Sequence, residues 1–262
     1  MAGGAVGSVC AIIAAGGHGS RFGNPGGKQL VSIAGRPMLT WSMQAFDRSA
    51  YVGAIVVVAP RDRMAEMRAA AVDPYAFSKP VVFAPAGTTR QESTANGLDA
   101  VPQGMRYAAI HDGARPLITT EAIDRAVGAL LDDAALDGVV CGQPAIDTLK
   151  IVDDGSAPER PRIGSTPPRS RYWTVQTPQI FPLDVIRRAQ EAAAAEGFSG
   201  TDDSSLVERM GGNVALVPCA RDNLKVTVPE DLRPVTAILL GRMADAEAAQ
   251  DSGIIGRAPL GA

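Results

Sequence analysis

The chain has 262 residues, 46% hydrophobic and 20% charged, the balance of an ordinary soluble globular protein. Its formal charge of −3 excludes a global field that would gather nucleic acid, so any basic site has to be local. No apolar run approaches the roughly 20 residues needed to cross a bilayer, and Met1 to Ser8 has neither the basic nor the apolar region of a signal peptide. Cys10, Cys141 and Cys219 are odd in number and without C-x-x-C spacing, which predicts buried thiols in a reducing cytoplasm. The length suits one α/β domain, 1–262, with an elaborated subdomain.

The first predicted element is the apolar run Val9 to Ile13, a buried strand. Behind it comes Ala14-Ala15-Gly16-Gly17-His18-Gly19-Ser20-Arg21-Phe22-Gly23-Asn24-Pro25-Gly26-Gly27-Lys28-Gln29. A glycine-rich loop lets backbone N–H groups approach an anion closely, and Arg21 and Lys28 add two positive charges. The combination suits a nucleoside triphosphate. Two familiar phosphate motifs fail on it. Phe22 stands where a dinucleotide fingerprint needs its third glycine. Gly23 and Gly27 enclose three residues rather than four, and Gln29 follows Lys28 where a P-loop needs Ser or Thr.

Val31 to Pro37 reads as extended with a turn at Gly35, and Met38 to Arg48 as an amphipathic helix. Ala54 to Ala59 is a β-branched run of the kind found in central parallel strands. A helix over Arg61 to Ala71 and a strand over Pro80 to Ala84 follow. Thr89 and Glu92 have capping-box spacing for a helix to about Val101, so the turn holding Gly87 feeds a helix N-terminus, with Arg90 and Ser93 beside it. Arg106 to Ile110 is a further strand, with His111-Asp112-Gly113-Ala114-Arg115-Pro116 at its carboxyl end. Ligands of open α/β sheets bind there, and a carboxylate is what a magnesium-bound triphosphate takes from a protein.

Glu121 to Leu131 is helical in pattern and Val139 to Gln143 a strand. From Pro144 the character changes: Asp147 to Val152 is extended, Asp153 to Ser156 a turn, and Ala157 to Arg171 rich in Pro and Arg, before a strand over Tyr172 to Gln176. Residues 144–176 thus read as an antiparallel β-arm, which is marginal alone and expected to pack on another subunit. Thr177 to Pro182 reconnects to a helix over Leu183 to about Glu196. Thr201 reads as the N-cap of the next helix, followed by Asp202 and Asp203. Asn213 to Val217 is the last long strand. Asn223 to Asp231 leads into a terminal helix to about Ala249, with a loose tail over 250–262. Lys225, just before that helix, is placed to reach back to a nucleotide.

Taken together, these motifs resemble the 2-C-methyl-D-erythritol 4-phosphate cytidylyltransferase family over roughly Val9 to Leu240. The carriers are Ala14-Ala15-Gly16 through Arg21, Lys28-Gln29, Arg90-Gln91 with Ser93, Asn96-Gly97-Leu98, His111-Asp112, Ala114-Arg115-Pro116 and Asp147-Thr148-Leu149-Lys150. They continue with Thr177-Pro178-Gln179, Thr201-Asp202-Asp203 and Asn223-Leu224-Lys225-Val226-Thr227. The resemblance implies an α/β, Rossmann-like nucleotidyltransferase fold: a mostly parallel twisted sheet, helices on both faces, and a protruding β-arm that joins a homodimer. It implies CTP as substrate, bound by Arg21 and Lys28 at the triphosphate and Lys225 at the α-phosphate, with Mg2+ on Asp112 and, secondarily, Asp222. Ala14, Ala15, Gly16, Gly17, Gly87, Ser93 and Gly113 would surround the cytidine. Arg115, Thr148, Arg169, Thr177 and Thr201 would hold the sugar-alcohol phosphate, with Thr148 and Arg169 serving the partner's site.

The implied reaction needs no protein nucleophile or base, since the attacking phosphate is already an anion; alignment and charge neutralisation carry it. The chain departs from the family pattern where Gly26-Gly27 separates Pro25 from Lys28, where Gly113 replaces an alanine, and where Ile13 replaces a proline. The rival readings are a ribitol-5-phosphate cytidylyltransferase with the same nucleotide motifs, and a CTP-binding paralogue without turnover, which the stretched Gly26-Gly27 loop favours. A nucleic-acid module is disfavoured, because basic stripes are absent and aromatics make up 5%.

Overall fold

The computed structural model describes residues 5–17, 22 and 27–255, with side chains to 249. Its main sheet has seven strands among the described residues, in the order β11-β7-β10-β6-β1-β4-β5. They are β1 (Val9–Ala14), β4 (Val52–Ala59), β5 (Val81–Pro85), β6 (Tyr107–Asp112), β7 (Gly138–Pro144), β10 (Trp173–Pro182) and β11 (Val214–Pro218). Pairing is parallel except around β10, which runs antiparallel to β6 and β7. Sequence reading ended the strand at Gln176 and took Thr177 to Pro182 as a connection. Instead the strand continues through it after a register shift between Val175 and Gln179.

The β-branched runs form strands because both faces of the sheet are covered. Along β1, Val9, Ala11 and Ile13 enter one core with α1 (Met38–Arg48), α2 (Met64–Ala71) and α4 (Thr120–Asp132). Cys10 and Ile12 point to the other, built with α3 (Arg90–Asp99), α5 (Leu183–Ala195) and α6 (Asp203–Arg209). Each fully buried Ile, Val or Leu contributes about 1.5–3 kcal/mol, so two cores on one strand fix its register: a one-residue slip would exchange every side chain between them. Helix α3 lies especially close to the sheet. A Cβ at Gly97 would stand 2.6 Å from Ile12 Cγ2 and 2.8 Å from Val58 Cγ2, so glycine in the second half of α3 lets the helix lie directly on β1 and β4.

A small hairpin, β2 (Ser32–Ile33) with β3 (Arg36–Pro37), turns at Ala34-Gly35 as expected. The last helix, α7 (Leu232–Ile255), runs beyond the expected end at Ala249. The loose tail foreseen from 250 is therefore helical to 255. Helix α7 contributes Val235 and Leu239 to a third apolar cluster with Phe22, Ile33, Met38, Ala114, Leu117 and Val226. The arm's hairpin is β8 (Ile151–Val152) antiparallel to β9 (Ile163–Ser165), a sheet of its own. Strand β9 falls in the stretch read as rich in Pro and Arg, whereas Trp173 to Gln176, expected as the arm's second strand, belongs to β10 and pairs with β7 of the main sheet.

Candidate active site

Chain order runs outward from β1 to β4 and β5, then jumps to β6 on the other side of β1. The carboxyl ends of β1 and β6, where the order reverses, open the crevice at which such sheets bind ligands. Ala14 and Asp112 are paired in register there, and the Gly113 N–H donates to the Ala14 carbonyl at 3.0 Å. A cavity of about 330 Å³ opens at this point, lined by Ala14, Gly16, Gly17, Gly87, Thr88, Thr89, Arg90 and Ser93. Larger hollows, of about 420, 530 and 620 Å³, lie against α7, in the arm's turn and beside Met105 and Pro182. None is lined by Ala14 or Asp112, the residues that end β1 and β6, so topology favours the smaller one.

Close backbone approach shapes this cavity. A Cβ on Gly16 would stand 2.5 Å from the Ala86 Cβ. The Ser93 hydroxyl accepts from the Gly87 N–H at 3.0 Å and donates to the Thr89 carbonyl at 2.8 Å, tying the turn to the first turn of α3. Thr89 caps α3 by accepting from the Glu92 N–H, as its spacing predicted. The Glu92 carboxylate reaches one residue further than a capping box requires, to the N–H and hydroxyl of Thr88. Ala15 and Gly113, expected around the base, do not line the cavity: the Ala15 N–H is bonded to Val58 and that of Gly113 to Ala14.

Beside the cavity stands a cluster of charges. Lys225 Nζ lies 2.8 Å from Asp112 Oδ2, and Arg115 Nε 3.6 Å from the same oxygen. Burial opposes ionisation of Asp112, but the Lys225 ammonium and then the guanidiniums of Arg115 and Arg90 outweigh it and bring its pKa down to about 2. Burial also lowers the pKa of Arg115, with Asp112 pulling it back. Arg115 further donates to the Asn223 carbonyl at 2.9 Å. Lys28 Nζ donates to the Val226 carbonyl at 2.7 Å, so the glycine loop's lysine arrives next to Lys225.

His111 is fully buried against Phe46, its ring pKa pushed down to about 4 by burial, which suits no proton shuttle at neutral pH. Thr177, expected at the substrate, is only 5% exposed. Its hydroxyl lies 3.0 Å from His111 Nδ1 and accepts from the Asp112 N–H at 3.0 Å.

Several expected residues stand elsewhere. Arg21 falls outside the described residues. Asp222 is held by Arg242 of α7 at 2.8 Å rather than beside Asp112. Thr201 is exposed and is not the cap of α6; Asp202 is, accepting from the Ser205 N–H at 3.0 Å. A carboxylate one residue nearer the helix takes that position from the hydroxyl. Thr148 and Arg169 lie exposed in the arm, where Arg169 donates to the Ile146 carbonyl. One lining residue missing from the expected set is Arg90, whose guanidinium holds the buried Asp203 at 2.6 Å. Its position just inside a capped helix was the available signal.

Among the described residues no group of three or more His, Cys, Asp or Glu is arranged to hold a metal. That excludes an all-protein cage there, not a hard cation shared between Asp112 and phosphate oxygens, the usual magnesium arrangement with nucleotides. Ionised Asp112 fits that donor role. Asp222, like Asp112, is ion-paired, through its Oδ2 with Arg242.

The family model described as IspD, 2-C-methyl-D-erythritol 4-phosphate cytidylyltransferase, matches residues 9–241. The 2-C-methyl-D-erythritol 4-phosphate cytidylyltransferase of Caldanaerobacter subterraneus is 40% identical over 226 residues, covering 86% of this chain and 96% of that one. The enzyme of the same name from Geobacter metallireducens is 40% identical over 229 residues, 86% and 94% of the two chains. The solved 4-diphosphocytidyl-2C-methyl-D-erythritol synthase of Anaerococcus prevotii superposes with a TM-score of 0.76 at 27% identity, over 88% and 96%. With motifs, topology and a charged crevice all in agreement, the chain belongs to the 2-C-methyl-D-erythritol 4-phosphate cytidylyltransferase family.

Proposed function

We propose that this crevice joins CTP to 2-C-methyl-D-erythritol 4-phosphate, giving the CDP-methylerythritol and pyrophosphate for non-mevalonate isoprenoid synthesis. The observation that carries the reading is the Asp112–Lys225–Arg115 cluster beside a glycine-lined cavity at the switch point of the sheet. A phosphate oxygen of the sugar alcohol attacks the α-phosphorus in line, the bond to the β-phosphate oxygen breaks, and pyrophosphate leaves with that electron pair. The nucleophile is already anionic, so the protein's work is alignment and charge neutralisation.

The backbone of Gly16 and Gly17, with Gly87 and Ser93, takes the nucleoside. Lys28 and Arg21 take the triphosphate, and Lys225 the α-phosphate where charge develops. Arg115 and Thr201 receive the sugar-alcohol phosphate. Asp112 would hold Mg2+, which would supply positive charge to neutralise the triphosphate.

The chain acts as one nucleotidyltransferase unit with the arm at 144–176. It works as a homodimer, in which Thr148 and Arg169 complete the partner's site. The exposed apolar strand residues of the arm, Ile151, Val152 and Ile163, support this, since an isolated hairpin is marginal in water. Three free cysteines and the want of any described helix able to cross a membrane suit the cytoplasm.

The test is pyrophosphate release from CTP and Mg2+, with methylerythritol 4-phosphate and ribitol 5-phosphate in parallel. Release with the first alone is expected. Release with ribitol 5-phosphate alone would reassign the acceptor. CTP binding without release in either would establish a paralogue without turnover.

A further inference from the structure

His111 directly precedes Asp112 and stands four residues before Arg115, yet it faces inward and touches neither charged group by a hydrogen bond of its ring. Its two ring nitrogens have different partners. Nε2 lies 3.3 Å from the Arg115 carbonyl, which can only accept, so Nε2 carries a proton. Nδ1 lies 3.0 Å from the Thr177 hydroxyl, which already accepts the Asp112 N–H at 3.0 Å. The hydroxyl proton needs an acceptor, and Nδ1 is the partner able to serve. Thr177 therefore donates to His111 while accepting from Asp112, and its one proton is committed inward.

We propose that His111, in the Nε2–H tautomer, is a positioning residue for the nucleotidyl transfer. Through Thr177 it fixes the main chain of Asp112, and through the Arg115 carbonyl it fixes the residue that flanks the other side of the cluster. The proposal rests on the reading of the crevice given above. The Phe46 ring, 5.2 Å from that of His111, closes the imidazole off from the core side and leaves it one orientation.

The test joins spectroscopy with kinetics. The chain has two histidines, so a 15N-labelled ring spectrum of the full protein without substrate is assigned by His18→Gln. The expected pattern is protonated Nε2 with a hydrogen-bonded, unprotonated Nδ1, which Thr177→Val shifts and Thr177→Ser leaves in place. A protonated Nδ1, or a ring indifferent to Thr177→Val, overturns the proposal. In turnover, Thr177→Val lowers kcat by about 10- to 100-fold, the scale of a small misplacement of reacting groups, and Thr177→Ser restores it to within about threefold. Combining Thr177→Val with His111→Phe adds little to either loss, because the two residues act through one link.

A raised KM for the sugar-alcohol phosphate with unchanged kcat and an unperturbed ring makes Thr177 a direct contact and ends the proposal. Losses that multiply in the double variant end it as well. Should His111→Phe fail to fold, the two Thr177 variants and the ring spectrum still decide. A wild-type protein silent with both acceptors defeats the functional reading. Normal turnover with an unimpaired Thr177→Val defeats this inference alone.

Discussion

The crevice end of the sheet and the arm are built on opposite plans. At the crevice the described charges have partners from elsewhere in the chain: Asp112 with Lys225, Arg115 with Asn223, Arg90 with Asp203. The arm is held by the β8–β9 pairing and a few exposed bonds such as Lys150 to Thr166, while Ile163 on its strand is 62% exposed. A site whose charges are set before substrate arrives pays little reorganisation at the moment of reaction. An arm that leaves apolar side chains in water is shaped for contact with another surface.

This contrast can be broken most directly by complementation. Lys225→Ala should lower kcat by about 10²- to 10³-fold, the usual effect of losing one aligned donor to developing charge. Arg169→Ala should be impaired as well. If the arm serves the partner's site, equal mixtures of the two variants recover about a quarter of wild-type turnover, because half the dimers carry one intact site. Steady-state pyrophosphate release after subunit exchange measures this, and no recovery places Arg169 in its own chain's site.

A subtler change sharpens the crevice half. Gly16→Ala forces a methyl to within 2.5 Å of the Ala86 Cβ, so the strand-end turn has to shift at a cost of about 1–3 kcal/mol. Denaturant titration should register the loss, and the KM for CTP should rise more than kcat falls. The arm's behaviour should not change.

The smallest expected effect comes from pH. Asp112 titrates at about 2 in the folded chain against an ordinary 3.8. A depressed carboxyl stabilises the fold in full above its unfolded pKa, and the contribution disappears as pH falls from about 4 through 2. The difference is about 1–2 kcal/mol. Chemical denaturation at pH 6 and pH 2.5 should show it, and Lys225→Met should flatten that dependence.

What the sequence made legible follows the range of the interactions. Helix α1 was readable to the residue because its apolar face is local, and β4 because β-branched runs need both faces covered. Asp112 was readable because a polar residue ending an apolar strand is conspicuous. Partners distant along the chain were not. The ties of Asp222 to Arg242 of α7 and of Arg90 to Asp203 have no local signal. Cys141 and Cys219 seemed unrelated, yet β7 and β11 are neighbours, and the thiol of Cys141 hydrogen-bonds that of Cys219. This bond, and then burial, push the pKa of Cys141 up. At Thr201 two capping residues stood in a row, and composition alone does not choose between them.

The segment between β11 and α7 supplies Asn223, Lys225 and Val226, the braces of Arg115, Asp112 and Lys28. It has a consequence for the making of the protein. Domains fold from the N-terminal side as the chain leaves the ribosome, and all seven sheet strands precede this segment, six of them complete by Pro182. A nascent chain can therefore possess most of its sheet, and both walls of the nucleotide cavity, while Asp112 still lacks its cation. The charge cluster closes only once the segment after β11 has emerged, so the growing chain acquires most of its sheet before its chemistry.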